Sequence, residues 1–161
     1  RLLHAAKLAG VRCPLVLHAD AVKKELFLEK IAGVPLRDYF SKNKKRSASA
    51  KLLADIGVSL ARLHAAGIVH GDFTASNILI EKKGKSPGPV PVFIDFGLGE
   101  FSNALEEMAT DLLLFKKSVS PEAFAVFLKV YLTSFRRGKR VLYRLKEIEQ
   151  RGRYVVRAQA G

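Results

Sequence analysis

His70-Gly71-Asp72-Phe73-Thr74-Ala75-Ser76-Asn77, followed eighteen residues later by Asp95-Phe96-Gly97, decides how this sequence is read. Each group borders a short apolar run, Ile78-Leu79-Ile80 after the first and Val92-Phe93-Ile94 before the second. Between the runs lies EKKGKSPGPVP, rich in Gly, Pro and Lys, which reads as a turn. Two apolar runs around a turn predict a hairpin with its polar chemistry at the open ends.

Phosphoryl transfer from a Mg-nucleotide asks little covalent chemistry of a protein. It needs a carboxylate that orients or deprotonates the nucleophile, and oxygen ligands that hold Mg²⁺ against the phosphates. The order H-x-D-x-x-x-x-N and then D-F-G supplies both. Asp72 is the candidate catalytic base, and Asn77, five residues on, is a candidate metal ligand. Asp95 is the main candidate ligand, because a hard cation prefers a charged oxygen. Gly97 is read as the residue that lets the chain turn sharply after it. Taken singly, Asp72 and Asn77 read equally as caps of a polar loop and Asp95 as a turn residue. Their order and their shared position beside apolar runs favour the catalytic reading.

The surroundings read as mostly helical. LLHAAKLA (2–9) is the end of a helix stopped by Gly10. LVLHAD and Glu25–Glu29 are two short strands joined by a polar turn. Gly33-Val34-Pro35 breaks the pattern, and LRDYF opens a short helix. Residues 48–66 carry Leu52, Leu53, Ile56, Leu60 and Leu63 at helical spacing, with Ser47 or Ser49 as the expected cap and Gly67 at the C-terminal end. Asn103 and Glu106 resemble an N-cap pair before a helix striped by Met108, Leu112 and Phe115. Ser120-Pro121 opens another helix, with Phe124, Phe127, Leu128 and Tyr131 inward, and a last helix covers 139–150. Asp111 falls on the apolar stripe of its helix. It reads either as a partly exposed carboxylate at the stripe's edge or as a buried one that accepts backbone hydrogen bonds from the His70–Asp72 loop. His70 reads as structural, neither His64 nor His70 has a partner at metal-ligand spacing, and Cys13 reads as a small core residue.

Composition bounds the partners. The 161 residues correspond to about one domain. With 48% hydrophobic residues the chain is not disordered, and one cysteine excludes an intramolecular disulfide framework and agrees with a reducing compartment. No apolar run reaches the roughly 20 residues of a membrane span, and no signal peptide is visible. The first residue is not Met, which reads as a fragment or a processed form. The net charge is +13, and residues 129–161 hold ten Lys/Arg against Glu147 and Glu149. A second basic cluster is Lys42, Lys44, Lys45 and Arg46. Such runs are either solvated faces or contacts to a polyanion, nucleic acid before an acidic membrane surface.

The two polar groups resemble the protein-kinase-like superfamily and, more narrowly, the atypical kinase/ATPase subunits of the KEOPS complex, which takes part in making threonylcarbamoyladenosine on tRNA. The resemblance lies in the residues 70–77, close to that family's H-G-D-L-T-T-S-N, and in Ile94–Gly99, Ala109-Thr110-Asp111-Leu112 and the basic Gln150-Arg151-Gly152-Arg153. Leu28–Gly33 is similar to the family's hinge between lobes. The resemblance implies an α+β, protein-kinase-like fold, mostly the helical C-terminal lobe around a short catalytic hairpin. Residues 1–28 would be a remnant of the N-terminal lobe, 29–35 the hinge, 36–150 the C-terminal lobe and 151–161 a basic tail. The family's Gly-rich loop, strand Lys and partner Glu have no counterpart here, so this stretch alone is expected to bind ATP poorly.

The resemblance further implies ATP and Mg²⁺ as cofactors, with the backbone at Glu29 to Ile31 against the adenine. It implies ATP hydrolysis and autophosphorylation under control of other KEOPS subunits, among them the tRNA threonylcarbamoyltransferase subunit on the C-terminal lobe. Arg151 and Arg153 would reach tRNA, and the protein would be cytoplasmic, or also nuclear in a eukaryote. Only thirteen residues separate Asp95-Phe96-Gly97 from Asp111, too few for the long activation segment of ordinary protein kinases. Alternatives are a non-catalytic kinase-like scaffold that binds RNA and partners, an aminoglycoside-type phosphotransferase, which usually carries His-Pro where this chain has Thr74-Ala75, and a relative of the RIO kinases.

Overall fold

The structure, a computed structural model, describes residues 1–42, 46–82 and 88–159, and their side chains except at 46–48, 82 and 152–159. Helix α1 (Leu2–Leu8) leads to an antiparallel hairpin of β1 (Val16–Asp20) and β2 (Glu25–Leu28). β3 (Gly33–Pro35), α2 (Leu36–Lys42), α3 (Arg46–Ala65) and β4 (Ile68–Val69) follow. β5 (Ile78–Lys82) and β6 (Pro89–Phe93) pair antiparallel, β7 (Glu100–Phe101) pairs with β4, and α4 (Leu105–Ser118), α5 (Pro121–Ser134) and α6 (Gly138–Gln159) complete the chain.

The expected hairpin is present, with Ile78 opposite Phe93. Gly33-Val34-Pro35 does not break the pattern: it is β3, an edge strand in the order β3-β5-β6. Gly and Pro are poor in strand interiors but tolerated at an edge, where one side of the ladder makes no bonds. β6, with Pro89 and Pro91, is the opposite edge, and its end is met by Arg12, whose carbonyl accepts from Phe93 N–H at 2.9 Å.

Leu52, Leu53, Ile56, Leu60 and Leu63 of α3 are all buried, each burial worth about 1.5–3 kcal/mol. Midway along α3, a Cβ on Gly57 would lie 2.8 Å from the carbonyl oxygen of Phe127. The small residue is what lets α5 approach this closely. Phe73, Phe93, Phe115, Phe127 and Tyr131 are buried together, with Phe115 and Phe127 ring centroids 4.5 Å apart. This aromatic centre fixes the loop that holds Asp72, because Phe73 of that loop sits 5.2 Å from Phe115 of α4.

Helix ends depart from expectation in three places. α3 is already helical at Arg46, so Ser47 and Ser49 lie inside it rather than at the position of a cap. α4 is entered through Ala104, not Asn103; Ser102 Oγ accepts the Ala104 N–H at 3.0 Å, and Asn103 instead lies against Gly67. α6 runs on to Gln159, because the basic residues beyond 150 are good helix formers and no breaker stands among them except Gly152. Ser120 does cap α5, accepting from Ala123 N–H at 3.3 Å, and Cys13 is buried, its thiol pushed above the usual range by burial. Lys44, Lys45 and the centre of the turn, 83–87, lie outside the described residues.

Candidate active site

β4 delivers the chain to His70 with its backbone already paired to β7 (Val69 opposite Glu100). This places the His70–Asn77 loop against the segment that follows Asp95. The approach is so close that a Cβ on Gly71 would lie 2.1 Å from Leu98 O, and Gly71 has φ +80. Only glycine satisfies both conditions.

Asp111 anchors the loop from below. It is fully buried in α4, and its two carboxylate oxygens accept from Gly71 N–H (Oδ1, 2.9 Å) and His70 N–H (Oδ2, 2.8 Å). His64 Nε2 also lies 3.1 Å from Oδ2, and His64 Nδ1 lies 2.7 Å from the Tyr131 hydroxyl. Burial, then the charge of Asp111, raises the Tyr131 hydroxyl above its ordinary range. A second tie joins the same helix to the loop: Ser118 Oγ accepts Ala75 N–H at 2.9 Å. His64, Ser118 and Tyr131 carry no role in the sequence reading. The available signal was His64 four residues after Leu60, a polar group on a buried stripe that needs a partner.

His70 sits under the site. Its Nε2 lies 3.0 Å from Ile94 O and its Nδ1 accepts from Asp72 N–H at 3.4 Å, which fits a neutral ring carrying its proton on Nε2. Burial holds its pKa below the ordinary value, and Phe96 packs against it at 4.6 Å.

Asn77 Nδ2 donates to the Asp72 carboxylate at 2.7 Å and to its carbonyl oxygen at 2.9 Å. The backbone of the same Asn77 accepts from Ile94 N–H at 3.0 Å, so the residue preceding Asp95 is stitched to Asn77. Asp95 is exposed, with one carboxylate oxygen accepting Gly97 N–H at 3.3 Å. The sharp turn belongs to Asp95 itself, at φ 60, rather than to Gly97. Aspartate is among the few non-glycine residues that enter this region readily, and such strain gathers at functional sites.

The donor set fits Mg²⁺. Asn77 keeps its Nδ2 on Asp72 and so has an amide oxygen to offer, and Asp95 has an exposed carboxylate. Mg²⁺ binds through one or two such oxygens plus water and phosphate, without an all-protein cage. Among the described residues no three His, Cys, Asp or Glu group as a larger metal cluster.

Glu29 follows β2. Its carboxylate is held by Arg12 in a two-point pair, 2.6 and 2.8 Å, and accepts Leu15 N–H at 3.0 Å. The Arg12 hydrogen bond, then the Leu15 N–H, lowers its pKa to about 2. Arg12 also reaches Glu81 of β5 at 3.3 Å, tying Glu29 at the end of the β1–β2 hairpin to the strand that follows Asn77. The Glu29 side chain is therefore committed to structure, and Ile31 is half-buried beyond it. Arg151 is paired with Glu106 at 2.8 Å, and the side chain of Arg153 lies outside the described residues.

Fold and site together define a kinase-like protein. The family model described as the ABC1 atypical kinase-like domain matches residues 3–116. A solved structure of WaaP in complex with acyl carrier protein shares the fold at TM-score 0.70 and 16% identity, covering 95% of this chain and 73% of that one. An EKC/KEOPS complex subunit of Schizosaccharomyces pombe is 35% identical over 162 residues, covering 95% of this chain and 67% of the relative. The "Probable serine/threonine-protein kinase BUD32 homolog" of Archaeoglobus fulgidus is 33% identical, covering 100% and 77%. A "Probable bifunctional tRNA threonylcarbamoyladenosine biosynthesis protein" of Methanosphaera stadtmanae is 38% identical over 96% of this chain, which spans only 28% of that relative's length. The chain belongs to the ABC1 atypical kinase-like family, among the kinase-like KEOPS subunits.

Proposed function

We propose that this protein is a Mg-ATP-dependent ATPase and atypical serine/threonine kinase that works as a KEOPS subunit in the threonylcarbamoyladenosine modification of tRNA. The observation that carries the proposal is the junction of Asp72, Asn77 and Asp95. Asn77 holds the Asp72 carboxylate with its amide and reaches the Ile94–Asp95 segment with its backbone. Bound Mg²⁺ would supply charge neutralisation at the phosphates, with Asn77 and Asp95 as its ligands. Asp72 orients the attacking water or hydroxyl by accepting its hydrogen bond, and Asn77 keeps that carboxylate aimed. The backbone from Glu29 to Ile31 is proposed to meet the adenine, with Arg12 holding that segment in place. The names of the relatives support the setting, since they are called KEOPS subunits and threonylcarbamoyladenosine biosynthesis proteins. Partner subunits are proposed to dock on the C-terminal lobe and to control turnover, and tRNA to approach the basic end of α6.

The test follows labelled ATP with Mg²⁺ in the full-length protein rather than in this stretch alone, with and without tRNA and KEOPS partners, beside the Asp72→Asn and Asp95→Ala variants. Free phosphate that rises with RNA or partners and is lost in both variants is the expected result. Unchanged hydrolysis in a folded Asp95→Ala protein sinks the assignment. No turnover in the parent protein, with RNA still bound, would make it a scaffold.

A further inference from the structure

Helix α6 presents a feature that neither the active site nor Arg151 explains. Tyr143 is 66% exposed, an unusual place for a large aromatic ring on a helix otherwise rich in Lys and Arg. Lys139 stands four residues before it, Arg140 three before it and Lys146 three after it, so all three neighbour the ring on the helix surface. All three are exposed. The nearby acids are already taken by other cations. Glu106 holds Arg144 and Arg151, Glu147 holds Arg144, and Glu149 holds Lys116 at 2.6 Å. Among the described residues, Lys139, Arg140 and Lys146 are left without an acidic partner. Beside the ring runs a groove of about 420 Å³ lined by Leu105, Lys139, Arg140, Tyr143, Arg144 and Glu147.

We propose that this face of α6 binds single-stranded RNA, with Tyr143 stacking on an unpaired base and Lys139, Arg140 and Lys146 taking the flanking phosphates. The inference rests on the tRNA-linked function proposed above and deepens it, moving the principal contact from Arg151 to the first turns of the helix. Charge complementarity selects the partner: the chain carries +13, and this face concentrates cations that no internal acid neutralises. The exposed ring selects single strands over duplex, because only an unpaired base offers its face for stacking. An acidic protein surface would satisfy the same cations, and the polyglutamate competitor below reads that alternative.

The experiment measures fluorescence anisotropy of a labelled, unstructured 12-nucleotide RNA and a blunt RNA duplex against the full-length protein over a salt series. Unlabelled polyglutamate serves as competitor. The protein is expected to favour the single strand. Tyr143→Phe should bind like the parent, whereas Tyr143→Ala should bind roughly five- to hundred-fold more weakly. Changing Lys139, Arg140 and Lys146 together to Ala should flatten the log–log salt slope by about 2, at roughly 0.7 for each phosphate no longer neutralised. Melting temperatures equal to the parent's establish that the variants are folded. Parent-like RNA binding by both Tyr143→Ala and the triple variant overturns the proposal, as does polyglutamate displacing RNA at equal charge concentration. Loss of binding in Arg151→Ala, with binding intact in the Tyr143 and triple variants, returns the contact to Arg151 and overturns the proposal. Hydrolysis of ATP by the parent, measured alongside, separates the two claims. Turnover without an α6 effect refutes this surface only, and no turnover refutes the ATPase reading whatever the RNA result.

Discussion

Replacing Asp111 by alanine removes one carboxylate and leaves three polar groups, two buried and one half-buried, without an acceptor. His70 N–H, Gly71 N–H and His64 Nε2 lie 2.8, 2.9 and 3.1 Å from its oxygens, and the carboxylate is completely buried. Each orphaned buried group costs about 1–3 kcal/mol, and breaking a buried charged network costs about 3–5 kcal/mol in all. About 3–5 kcal/mol is a large share of the 5–15 kcal/mol that holds a typical domain together. At roughly 2–4 °C per kcal/mol for a chain of this size, the melting temperature should fall by about 6–20 °C. Asp111→Asn keeps the volume but points an NH₂ at one of the donors, so about 2–3 kcal/mol is expected. Urea titration followed by circular dichroism measures both, and steady-state ATP turnover of the folded Asn variant reads the loop. Because the lost bonds fix the backbone one residue before Asp72, turnover should fall even where Asp111→Asn remains folded. An Asp111→Ala protein within about 0.5 kcal/mol of the parent, or an Asn variant with unchanged turnover, refutes the reasoning.

Gly71→Ala tests the close approach of the two polar segments. Its Cβ would meet Leu98 O at 2.1 Å and its φ is +80, so about 2–4 kcal/mol of destabilisation is expected, and parent-like denaturation would refute the requirement for glycine. Glu29→Gln tests the Arg12 pair through pH. The folded-state pKa of Glu29 is lowered to about 2, below its unfolded value, so its stabilisation is present above about pH 4.5 and lost as pH falls towards 2. Partial solvent exposure limits it to about 1 kcal/mol, so the variant should be less stable than the parent at pH 7 and equal to it near pH 2. A gap that persists unchanged at pH 2 would show that the charge is not the cause.

The sequence by itself determined the hairpin, the helices and the candidate chemistry-bearing groups. These are properties of local order. Two short apolar runs around a turn put Ile78–Ile80 beside Val92 and Phe93, and period-3.6 patterning buried Leu52, Leu60 and Leu63 on one side of α3. A carboxylate on an apolar stripe was also legible, since Asp111 could be tolerated there only with partners. Tertiary structure alone decided who those partners are. That His64 and Tyr131 complete the Asp111 network depends on α3, α4 and α5 meeting at the same depth, which no spacing within one helix encodes. The strand at Gly33–Pro35 was hidden for the same reason: its residues have poor strand propensity, and only β5 alongside supplies the hydrogen bonds that outweigh it. The left-handed turn at Asp95, rather than at Gly97, is likewise imposed from outside. The segment after Asp95 must run back past Gly71 to pair with β4, and the backbone bends where that return path requires. Charge shows the same division. Composition supplied +13, but only the folded arrangement decides which cations are cancelled, because Glu106 lies more than thirty residues from both arginines that it neutralises.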